Sequence, residues 1–301
     1  MYDLIIIGAG PAGITASVYA ARKRMNLLVI TKDIGGQAAW SGDIENYTGY
    51  QFITGPELAV KFEEHMRQYN IELRENEEVI ELKKIGDTIK VKTNKGEYVS
   101  KTAIVASGKK SKELNVSGEK EFKNRGLTYC ATCDGPLFSG KDVAVIGGGN
   151  SALDATLQLM KIAKRIYLIN NTQNFGGDAI MRQKVIENKI VTVLNNTKVI
   201  EIMGDKFVNG IKIENKDKKE EQLAVQGVFV EIGLVPNSDF AKEIEKNQQG
   251  EIKIDANNQT NIPAIFAAGD VTDMPEKQII IAAGEGAKAA LGAFKYLAQQ
   301  R

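Results

Sequence analysis

The sequence has few of the residues that build metal sites and disulfide scaffolds. Two cysteines and one histidine occur among its 301 residues. A structural zinc site takes about four cysteine, histidine or acidic ligands, and a small disulfide-stapled fold needs several cysteine pairs. We therefore expect neither a bound metal nor a disulfide framework, and the two thiols must have another role.

The sequence also lacks an excess of either charge. Lysine and arginine number 39 against 38 aspartate and glutamate, so the formal net charge is +1. Without a basic field, nucleic acid and anionic membranes are not expected as partners. Hydrophobic residues make up 43% and charged residues 26%, which is typical of a globular protein. At roughly 150 residues per domain, the length predicts two domains.

Neither a signal peptide nor a membrane span is expected. The longest uncharged run, residues 4–21, follows the acidic Asp3 and contains Gly8, Gly10 and Pro11 near its centre. A signal peptide begins with basic residues, and a spanning helix needs a continuous apolar stretch. The sequence therefore predicts a cytoplasmic protein, in which thiols can stay reduced.

Glycine is abundant, and the glycines mark a repeated pattern. Two segments about 140 residues apart each contain an apolar run, a glycine turn, a helical stretch and a second apolar run. The parts of the first are residues 2–7, 8–13, 14–24 and 26–30, and those of the second are residues 142–146, 147–152, 153–163 and 165–169. This pattern predicts two β-α-β units of the dinucleotide-binding type.

The two glycine turns read GAGPAG and GGGNSA. In such a turn the first glycine makes the tight bend, the second lets a pyrophosphate approach the backbone, and the third position packs helix against strand. The helix that follows offers free N–H groups and a partial positive charge. The candidate binding residues are Gly8, Gly10, Pro11, Ala12 and Gly13 in the first turn and Gly147, Gly149, Asn150 and Ser151 in the second. The alternative is one open α/β sheet with two glycine turns.

Two later segments resemble displaced parts of the first unit. Residues 103–108 and 264–270 are apolar runs that end in small residues, and Asp270 lies at the tip of the second. If both belong to the first unit, the second unit is inserted between them. The predicted fold is therefore α/β, with two Rossmann-like nucleotide-binding domains of the three-layer ββα type, the second inserted into the first. We expect domains at 1–115 with 239–301 and at 116–238, joined by polar linkers at 114–119 and 236–240.

Both cysteines lie in one short motif, Cys130-Ala-Thr-Cys133-Asp134. A disulfide that closes so small a loop restricts the unfolded chain little, so a structural staple would gain little here. The spacing favours a dithiol that opens and closes, with a thiolate stabilised by N–H groups at a helix start. Asp134 is a candidate proton donor to a departing thiolate. The alternatives are two cysteines that are neighbours by accident, or half of a zinc site completed by another subunit.

These motifs together resemble one family. The chain is similar to the low-molecular-weight thioredoxin reductases and to the C-terminal flavoprotein half of the disulfide-reductase subunit of alkyl hydroperoxide reductase. The resemblance covers nearly the whole chain and is carried by residues 8–13, 35–37, 44–47, 128–135, 147–152, 267–270 and 278–286. Because Met1 opens the first strand, we expect no additional N-terminal thioredoxin-like domains.

The resemblance implies a homodimer with one FAD in each subunit, bound by the first domain. The residues implied to contact FAD are Gly8, Gly10, Pro11, Ala12, Gly13, Gly36, Gln37, Asn46, Gly108, Gly269, Asp270, Gln278 and Ile279. Cys133 would be the sulfur beside the flavin, Cys130 the sulfur that exchanges with the protein substrate, and Asp134 the acid. The resemblance also implies a second domain that rotates between two orientations.

The second domain departs from the family at the site for the electron donor. Members that use NADPH carry arginines after the second strand of this unit, whereas residues 170–177 here read NNTQNFGG. They hold no Asp or Glu for the ribose of NADH either. NADH or NADPH would use Gly147, Gly149, Asn150 and Ser151, and reduced ferredoxin is an alternative donor.

The sequence thus predicts an FAD-dependent disulfide oxidoreductase of the thioredoxin reductase type. It would pass electrons through FAD to the Cys130–Cys133 dithiol and on to thioredoxin or a glutaredoxin-like protein. The first alternative is a ferredoxin-dependent flavin thioredoxin reductase that does not use NAD(P)H. The second is a flavin-binding redox sensor without catalysis.

Overall fold

A computed structural model describes residues 1–41 and 43–300 of the chain. They form two compact units: unit 1 comprises Met1–Lys110 and Val235–Arg301, and unit 2 comprises Ser111–Leu234. The chain passes from one unit to the other at residues 110–111 and 234–235, and the sequence predicts the linkers at 114–119 and 236–240. The predicted linker at 114–119 lies inside unit 2, where the buried Glu119 accepts bonds from the backbone N–H groups of Leu114 and Asn115.

The described residues contain nineteen strands and seven α-helices. The strands are β1 (Tyr2–Ala9), β2 (Leu27–Ile34), β3 (Asp43–Ile44), β4 (Ile53–Thr54), β5 (Glu72–Arg74), β6 (Val79–Ile85), β7 (Thr88–Thr93), β8 (Glu97–Val105), β9 (Lys109–Ser111), β10 (Leu127–Thr128), β11 (Asp142–Ile146), β12 (Arg165–Ile169), β13 (Val191–Leu194), β14 (Thr197–Gly204), β15 (Val208–Asn215), β16 (Glu220–Leu223), β17 (Gly227–Val230), β18 (Leu234–Pro236) and β19 (Ile265–Ala267). The helices are α1 (Pro11–Arg22), α2 (Gly55–Arg67), α3 (Glu119–Phe122), α4 (Ala131–Asp134), α5 (Asn150–Leu159), α6 (Ala179–Ile186) and α7 (Ile279–Gln299).

Unit 1 is built on a sheet whose parallel part runs β5-β2-β1-β8, with β19 pairing along β8. Its central strand β1 is apolar and fully buried at Leu4, Ile5 and Ile6, as expected for a parallel strand covered on both faces. One face packs against α1 and α7, and the other against residues of β6, β7 and the 241–254 segment. The antiparallel strands β6, β7 and β8 form a small meander.

Helix α7 lies very close to the start of α1, and a glycine makes this approach possible. A Cβ atom added to Gly286 would lie 2.0 Å from the carbonyl oxygen of Ala12. Any side chain there would therefore separate the two helices. The long C-terminal helix thus belongs to unit 1 and packs beside the first glycine turn.

Unit 2 repeats the plan with a parallel sheet in the order β10-β17-β11-β12-β13. The antiparallel strands β14, β15 and β16 form a second small sheet. β9 and β18, the strands at which the chain leaves and re-enters unit 1, pair with each other. The predicted α/β fold with an inserted second Rossmann-like domain is confirmed.

Two features were not found in the part of the chain that the structure describes. Among residues 1–41 and 43–300, no helix is both long enough and apolar enough to cross a membrane. The same residues bring no three His, Cys, Asp or Glu side chains together in a group that could hold a metal ion.

Candidate active site

The first glycine turn combines two glycines that packing requires with one that faces open space. A Cβ on Gly8, whose φ is +106°, would lie 2.3 Å from the carbonyl oxygen of Ala106, and a Cβ on Gly13 would lie 1.9 Å from that of Gly8. At Gly10, in contrast, the nearest atom to an added Cβ is the carbonyl oxygen of Gly35, 4.0 Å away. The backbone at Gly10 is therefore open to a ligand, as a pyrophosphate site requires.

Helix α1 starts at this turn with no side chain over its end. Its N-cap is Gly10, which forms no side-chain cap, and Pro11 occupies the first helical position. The N–H groups of a first helical turn lack partners within the helix. They and the helix dipole favour an anion at this position.

The other residues predicted to bind FAD are brought to the same region of unit 1. Gly36, with φ +53°, packs on Gly10, since an added Cβ would lie 3.3 Å from the Gly10 Cα. The side chain of Gln37 donates from Nε2 to the carbonyl oxygen of Lys109 at 3.3 Å, next to Gly108. A Cβ on Gly269 would lie 2.9 Å from the Cβ of Ala12.

Asn46 and Gln278, distant in sequence, meet at the start of α7. Asn46 donates from Nδ2 to Gln278 Oε1 at 3.1 Å. Gln278 is the N-cap of α7 and Ile279 its first residue, and no side chain caps this helix. The positive end of a long helix therefore lies beside two side chains that the sequence assigns to the flavin site.

Asp270 lies next to a charged network that the sequence does not reveal. The carboxylate of Glu251 is 2.9 Å from Lys109 Nζ and 3.2 Å from Lys277 Nζ. Burial alone would raise the pKa of Glu251. Hydrogen bonds from Lys109, Asn247 and Lys277 lower it by more than burial raises it, so that the pKa is about 2. No sequence signal links these residues, because 142 positions separate Lys109 from Glu251.

Burial raises the pKa of Asp270, while Lys277 and Lys109 act to lower it. Its carboxylate is therefore partly desolvated in a positive surrounding, which suits a group that accepts hydrogen bonds from sugar-like hydroxyls. The residue that holds its turn is Glu285, which accepts a bond from the Gly269 N–H at 2.8 Å. Glu285 is 5% exposed. A lone acidic residue among the alanines and glycines of α7 is the signal that could have identified it.

In unit 2 the two cysteines form a disulfide. Cys130 is the N-cap of α4, and its sulfur accepts a hydrogen bond from the Cys133 N–H at 3.1 Å. Cys133 is exposed and Cys130 half-buried. An N–H aimed at a sulfur stabilises its thiolate form, so the geometry favours Cys130 as the sulfur that carries negative charge in the reduced pair.

Asp134 is held beside the pair by a threonine. Thr128 Oγ1 donates to Asp134 Oδ2 at 2.5 Å and accepts from the Cys130 N–H at 3.1 Å. The Asp134 N–H in turn donates to the Cys130 carbonyl oxygen. The carboxylate is therefore fixed close to the backbone of Cys130, where a proton donor to a thiolate would be needed.

A line of polar side chains connects residues 130–134, the redox loop, to helix α5. Thr132, between the two cysteines, donates from Oγ1 to Gln158 Oε1 at 2.9 Å. Gln158 donates from Nε2 to Asp154 Oδ2 at 2.8 Å. Since Asp154 and Gln158 are one helical turn apart, α5 joins the redox loop to the second glycine turn, where the helix begins.

The second glycine turn has the same open centre as the first. A Cβ on Gly147, whose φ is +146°, would lie 2.2 Å from the carbonyl oxygen of Glu231, whereas nothing lies within 4 Å of a Cβ on Gly149. Gly149 is the N-cap of α5 and forms no side-chain cap. The first two residues of this helix are Asn150 and Ser151, and the Asn150 side chain accepts a bond from the Asp178 N–H at 2.8 Å.

The segment that follows β12 carries no charge and is held by hydrogen bonds within the protein. Asn170, at the strand end, is 2% exposed. Its amide donates to the Thr172 carbonyl oxygen and to Asn195 Oδ1 and accepts from Thr172. Its side chain also lies against Gly148, where an added Cβ would be 2.3 Å from Asn170 Oδ1. The amide is therefore committed to the protein and not free for a ribose.

Glu231 is a second residue that sequence reasoning missed. It follows β17 directly, at the carboxyl end of a parallel strand, and the signal for it is a charge placed immediately after a fully buried apolar run. Burial, with a smaller contribution from Asp154, raises the pKa of Glu231 to about 8. The backbone of Glu231 lies against the second glycine turn, because its N–H donates to the carbonyl oxygen of Ile146, the residue before that turn, at 2.7 Å.

Comparison with known proteins identifies the family. The family model for pyridine nucleotide-disulphide oxidoreductases matches residues 2–286. A Bacillus subtilis protein named NADH dehydrogenase is 42% identical over 98% of this chain and 58% of that protein. A Staphylococcus aureus protein named as a subunit of alkyl hydroperoxide reductase is 41% identical over 98% of this chain and 59% of that protein. This chain therefore spans somewhat more than half the length of these curated relatives.

A solved structure matches over nearly the full length of both chains. The crystal structure of Lactococcus lactis thioredoxin reductase is 34% identical, matches with a TM-score of 0.91, and covers 99% of this chain and 100% of that one. The resemblance predicted from the motifs is thus confirmed. Proteins of the thioredoxin reductase type bind FAD, and the open turn at Gly10, the uncapped start of α1 and the half-buried Asp270 fit that cofactor. With its matching motifs, fold and cofactor cradle, this chain belongs to the pyridine nucleotide-disulphide oxidoreductase family.

Proposed function

We propose that this protein reduces the disulfide of thioredoxin or of a glutaredoxin-like protein, using electrons that reach Cys130–Cys133 from FAD. The observation that carries the proposal is the arrangement around the pair. The Cys133 N–H bonds to the Cys130 sulfur, and Thr128 holds Asp134 beside it. A structural disulfide needs neither feature, whereas the N–H stabilises an attacking thiolate and the carboxyl can protonate a departing one.

The exchange uses groups of this chain. In the reduced pair, the Cys130 thiolate attacks one sulfur of the partner's disulfide, which forms a mixed disulfide and releases a partner thiolate. Asp134 donates a proton to that thiolate. Cys133 then attacks the Cys130 sulfur, so that the intramolecular disulfide re-forms and the second partner sulfur leaves as a thiol. The partner gains two electrons and two protons: both electrons come from the cysteine pair, one proton comes from Asp134, and the other is the proton that Cys133 loses as it attacks.

FAD would be held by unit 1, and unit 2 would carry the redox pair and the nucleotide turn. The pyrophosphate would lie at Gly10, Pro11, Ala12 and Gly13, with Gly8 forming the bend. Gly36, Gln37, Asn46 and Gly108 would line the flavin and ribityl chain, and Asp270, beside Gly269, would accept bonds from ribityl hydroxyls. Gln278 and Ile279 would present the start of α7 to the ring. When bound, FAD supplies two-electron transfer between a donor and the dithiol.

For the donor we propose NADH, with NADPH no better, bound at Gly147, Gly149, Asn150 and Ser151. The open backbone at Gly149 supports a pyrophosphate there. The neutral segment 170–177 gives a 2′-phosphate no charged partner. The same neutrality favours the second candidate, in which reduced ferredoxin supplies the electrons and NAD(P)H is not used. The homodimer implied by the family remains part of the proposal, and light scattering of the holoprotein measures it.

Anaerobic titration of the FAD-loaded protein tests these proposals. NADH, NADPH and reduced ferredoxin are added separately, and the flavin absorbance reports reduction. Oxidised thioredoxin is then added to the reduced protein. Bleaching by NADH followed by reoxidation with thioredoxin is the expected result. If only reduced ferredoxin bleaches the flavin, the second candidate is selected. If thioredoxin does not reoxidise the reduced flavin, the protein is a flavin redox sensor and not a reductase.

A further inference from the structure

Tyr129 lies directly before the first redox cysteine, in the short connection between β10 and α4. β10 ends at Thr128 and α4 begins after Cys130, so Tyr129 and Cys130 make up the whole connection. The sheet holds the chain as far as Thr128, which pairs with Phe229 of β17. Beyond that residue, side chains tie the connection to the rest of unit 2.

The hydroxyl of Tyr129 is bound by a buried carboxylate. It donates to Glu119 Oε1 at 2.8 Å, and Glu119 is 2% exposed. The same carboxylate accepts from the backbone N–H groups of Leu114 and Asn115 at 2.7 and 2.6 Å. Both of its oxygens therefore act as acceptors, as in an ionised carboxylate. Burial, and next the hydrogen bond with Glu119, raises the pKa of Tyr129, so its hydroxyl keeps the proton that it donates.

The ring of Tyr129 is held as well as its hydroxyl. It packs against the buried cluster of unit 2 that includes Leu127 and Val230, and Lys123 Nζ lies 5.2 Å from the ring centroid. A phenylalanine at this position would keep the packing and the contact with the cation. It would lose the hydrogen bond to Glu119.

These ties become important when the disulfide opens. In the oxidised pair the covalent bond holds the two sulfurs together. In the reduced pair, the contact of the Cys130 sulfur with the Cys133 N–H depends on where the backbone of Cys130 lies. Thr128 holds that backbone by accepting from the Cys130 N–H. Tyr129 provides a second tie, through its bond to Glu119.

We propose that Tyr129, held by Glu119, is a positioning residue for the attacking sulfur: it keeps the sulfur of Cys130 at the Cys133 N–H while the disulfide is open. This inference rests on the proposed function, in which Cys130 is the thiolate that attacks the partner's disulfide. Without the hydroxyl of Tyr129 the connection moves, and the N–H stabilises the thiolate for less of the time. The thiol then ionises less readily, and its thiolate is a stronger nucleophile.

Alkylation of a single cysteine tests this role. The chain has two cysteines, so Cys133→Ser leaves Cys130 as the one thiol and retains the backbone N–H of residue 133. The FAD-loaded Cys133→Ser protein, with and without Tyr129→Phe, is alkylated by iodoacetamide between pH 5 and pH 10. We expect Tyr129→Phe to slow alkylation by about three- to tenfold at pH 6, because less of the sulfur is thiolate. At pH 10 alkylation should be equal or faster, because the thiolate is less stabilised.

Tyr167→Phe in the same Cys133→Ser protein is the matched control. Tyr167 is a half-buried tyrosine of β12 that packs on the same buried cluster, and its variant should react as Cys133→Ser alone does. Other titratable groups on the elements around Cys130 are Asp134 of its own loop, Asp154 of α5, and Glu231, which follows β17. Tyr129→Phe retains all three, so a difference between the profiles reports the tyrosine hydroxyl.

Overlapping pH profiles with and without Tyr129→Phe would overturn the inference. A change by the same factor at every pH, faster or slower, would overturn it as well, because it reports how accessible the sulfur is and not how its charge is stabilised.

The proposed reductase function is tested apart from this role, in the protein with both cysteines. Its flavin is reduced with dithionite, the excess is removed, and oxidised thioredoxin is added. A protein that reduces thioredoxin but gives overlapping alkylation profiles retains its function and loses this inference. A protein whose profiles shift as expected but that does not reduce thioredoxin retains the positioning of Cys130 and loses the proposed function.

Discussion

The backbone N–H of Cys133 lies 3.1 Å from the sulfur of Cys130. This contact stabilises charge on Cys130 and leaves Cys133 as the sulfur that resolves a mixed disulfide. We expect Cys133→Ser to trap thioredoxin on Cys130 as a stable mixed disulfide, and Cys130→Ser to retain FAD but to form no such adduct. Each variant is incubated with oxidised thioredoxin while its FAD is kept reduced. Mass spectrometry then measures the adduct.

Both variants should lose steady-state thioredoxin reduction, so turnover alone does not separate them. A double variant lacking both sulfurs controls for adducts elsewhere and should form none. If Cys130→Ser traps thioredoxin and Cys133→Ser does not, the two roles are reversed.

Asp134 and Thr128 offer a test of the proton donor. Asp134→Asn keeps an acceptor for the Thr128 hydroxyl, so the loop should stay folded while the acid is lost. A positioned acid typically contributes about 10²- to 10⁴-fold, and we expect kcat for thioredoxin reduction to fall within that range. Flavin content and thermal unfolding should match the wild type. An unchanged kcat would assign the proton to water.

Gly10 and Gly149 are a matched pair of open positions in the two units. Their φ angles are −79° and −108°, so alanine fits the backbone, and neither Cβ would meet a protein atom closer than 4.0 Å. We expect Gly10→Ala to weaken FAD binding by about tenfold or more, roughly 1.4 kcal/mol, because the methyl group occupies the approach of the pyrophosphate. Gly149→Ala should keep FAD and weaken ADP-ribose instead.

Thermal unfolding of the two apoproteins provides the control. Gly→Ala at a compatible φ removes freedom from the unfolded chain and stabilises by about 0.4 to 1 kcal/mol. Alanine is a poorer N-cap than glycine, and both positions are N-caps, so the two effects oppose each other and each variant should stay within about 1 kcal/mol of the wild type. Gly13→Ala should contrast with both, since its Cβ would lie 1.9 Å from the Gly8 carbonyl oxygen. Loss of FAD from Gly149→Ala but not from Gly10→Ala would contradict the assignment of the two turns.

The glycine turns and the redox motif could be predicted because each depends on neighbours in the chain. Residues 8–13 and 147–152 lie between a strand and a helix whose apolar patterns are visible in the sequence, and Cys130 and Cys133 belong to one turn. The two displaced segments could be placed in unit 1 because a buried parallel strand reads as an apolar run.

The charged groups around the site could not be predicted, because they come together only in the folded chain. Lys109 and Lys277 meet at Glu251, and 142 positions separate the first of these from the carboxylate. Asn170 opens the segment 170–177, in which the sequence shows no Asp or Glu for a ribose. Its packing against Gly148 and its bond to Asn195 depend on the pairing of β12 with β13. Glu119 lies in the polar stretch at 114–119 and is buried, and no local pattern indicates its burial.

Glu231 also makes a prediction about stability that needs no ligand. Burial raises its pKa to about 8 from the ordinary 4.5, so between these pH values the folded protein holds a proton that the unfolded chain has lost. Stability contributed by this proton is present below pH 4.5 and is lost as the pH rises through 8. We expect Glu231→Gln to remove part of this loss and to be more stable than the wild type at pH 8 by about 1 to 2 kcal/mol, after discounting for solvent screening.

Urea unfolding of the apoprotein at pH 5, 6.5 and 8 measures this effect, with Glu221→Gln as the exposed control. The difference between Glu231→Gln and the wild type should grow with pH. A difference that stays constant over this range would show that the Glu231 carboxyl ionises normally in the folded protein.

Asn171 and Gln173 decide the last prediction, which concerns the choice between the two nicotinamide donors. Both are exposed and uncharged in the segment after β12, where a 2′-phosphate would need charge-assisted bonds of about 1.5 to 3 kcal/mol each. We expect kcat/KM with NADPH to be no higher than with NADH in the wild type, and NADH to be modestly favoured. Asn171→Arg with Gln173→Arg should raise kcat/KM for NADPH by roughly a hundredfold and leave that for NADH nearly unchanged, whereas Asn171→Gln with Gln173→Asn should alter neither.

A wild-type preference for NADPH of more than about tenfold, or 1.4 kcal/mol, would show that a basic residue outside this segment reaches the phosphate. The nearest candidates are Lys184, which is exposed, and Arg182, whose Nη1 donates to the Phe175 carbonyl oxygen at 3.2 Å. Equally poor rates with both nucleotides, together with rapid reduction by ferredoxin, would instead assign the electrons to a protein donor and leave the open turn at Gly149 without a role in turnover.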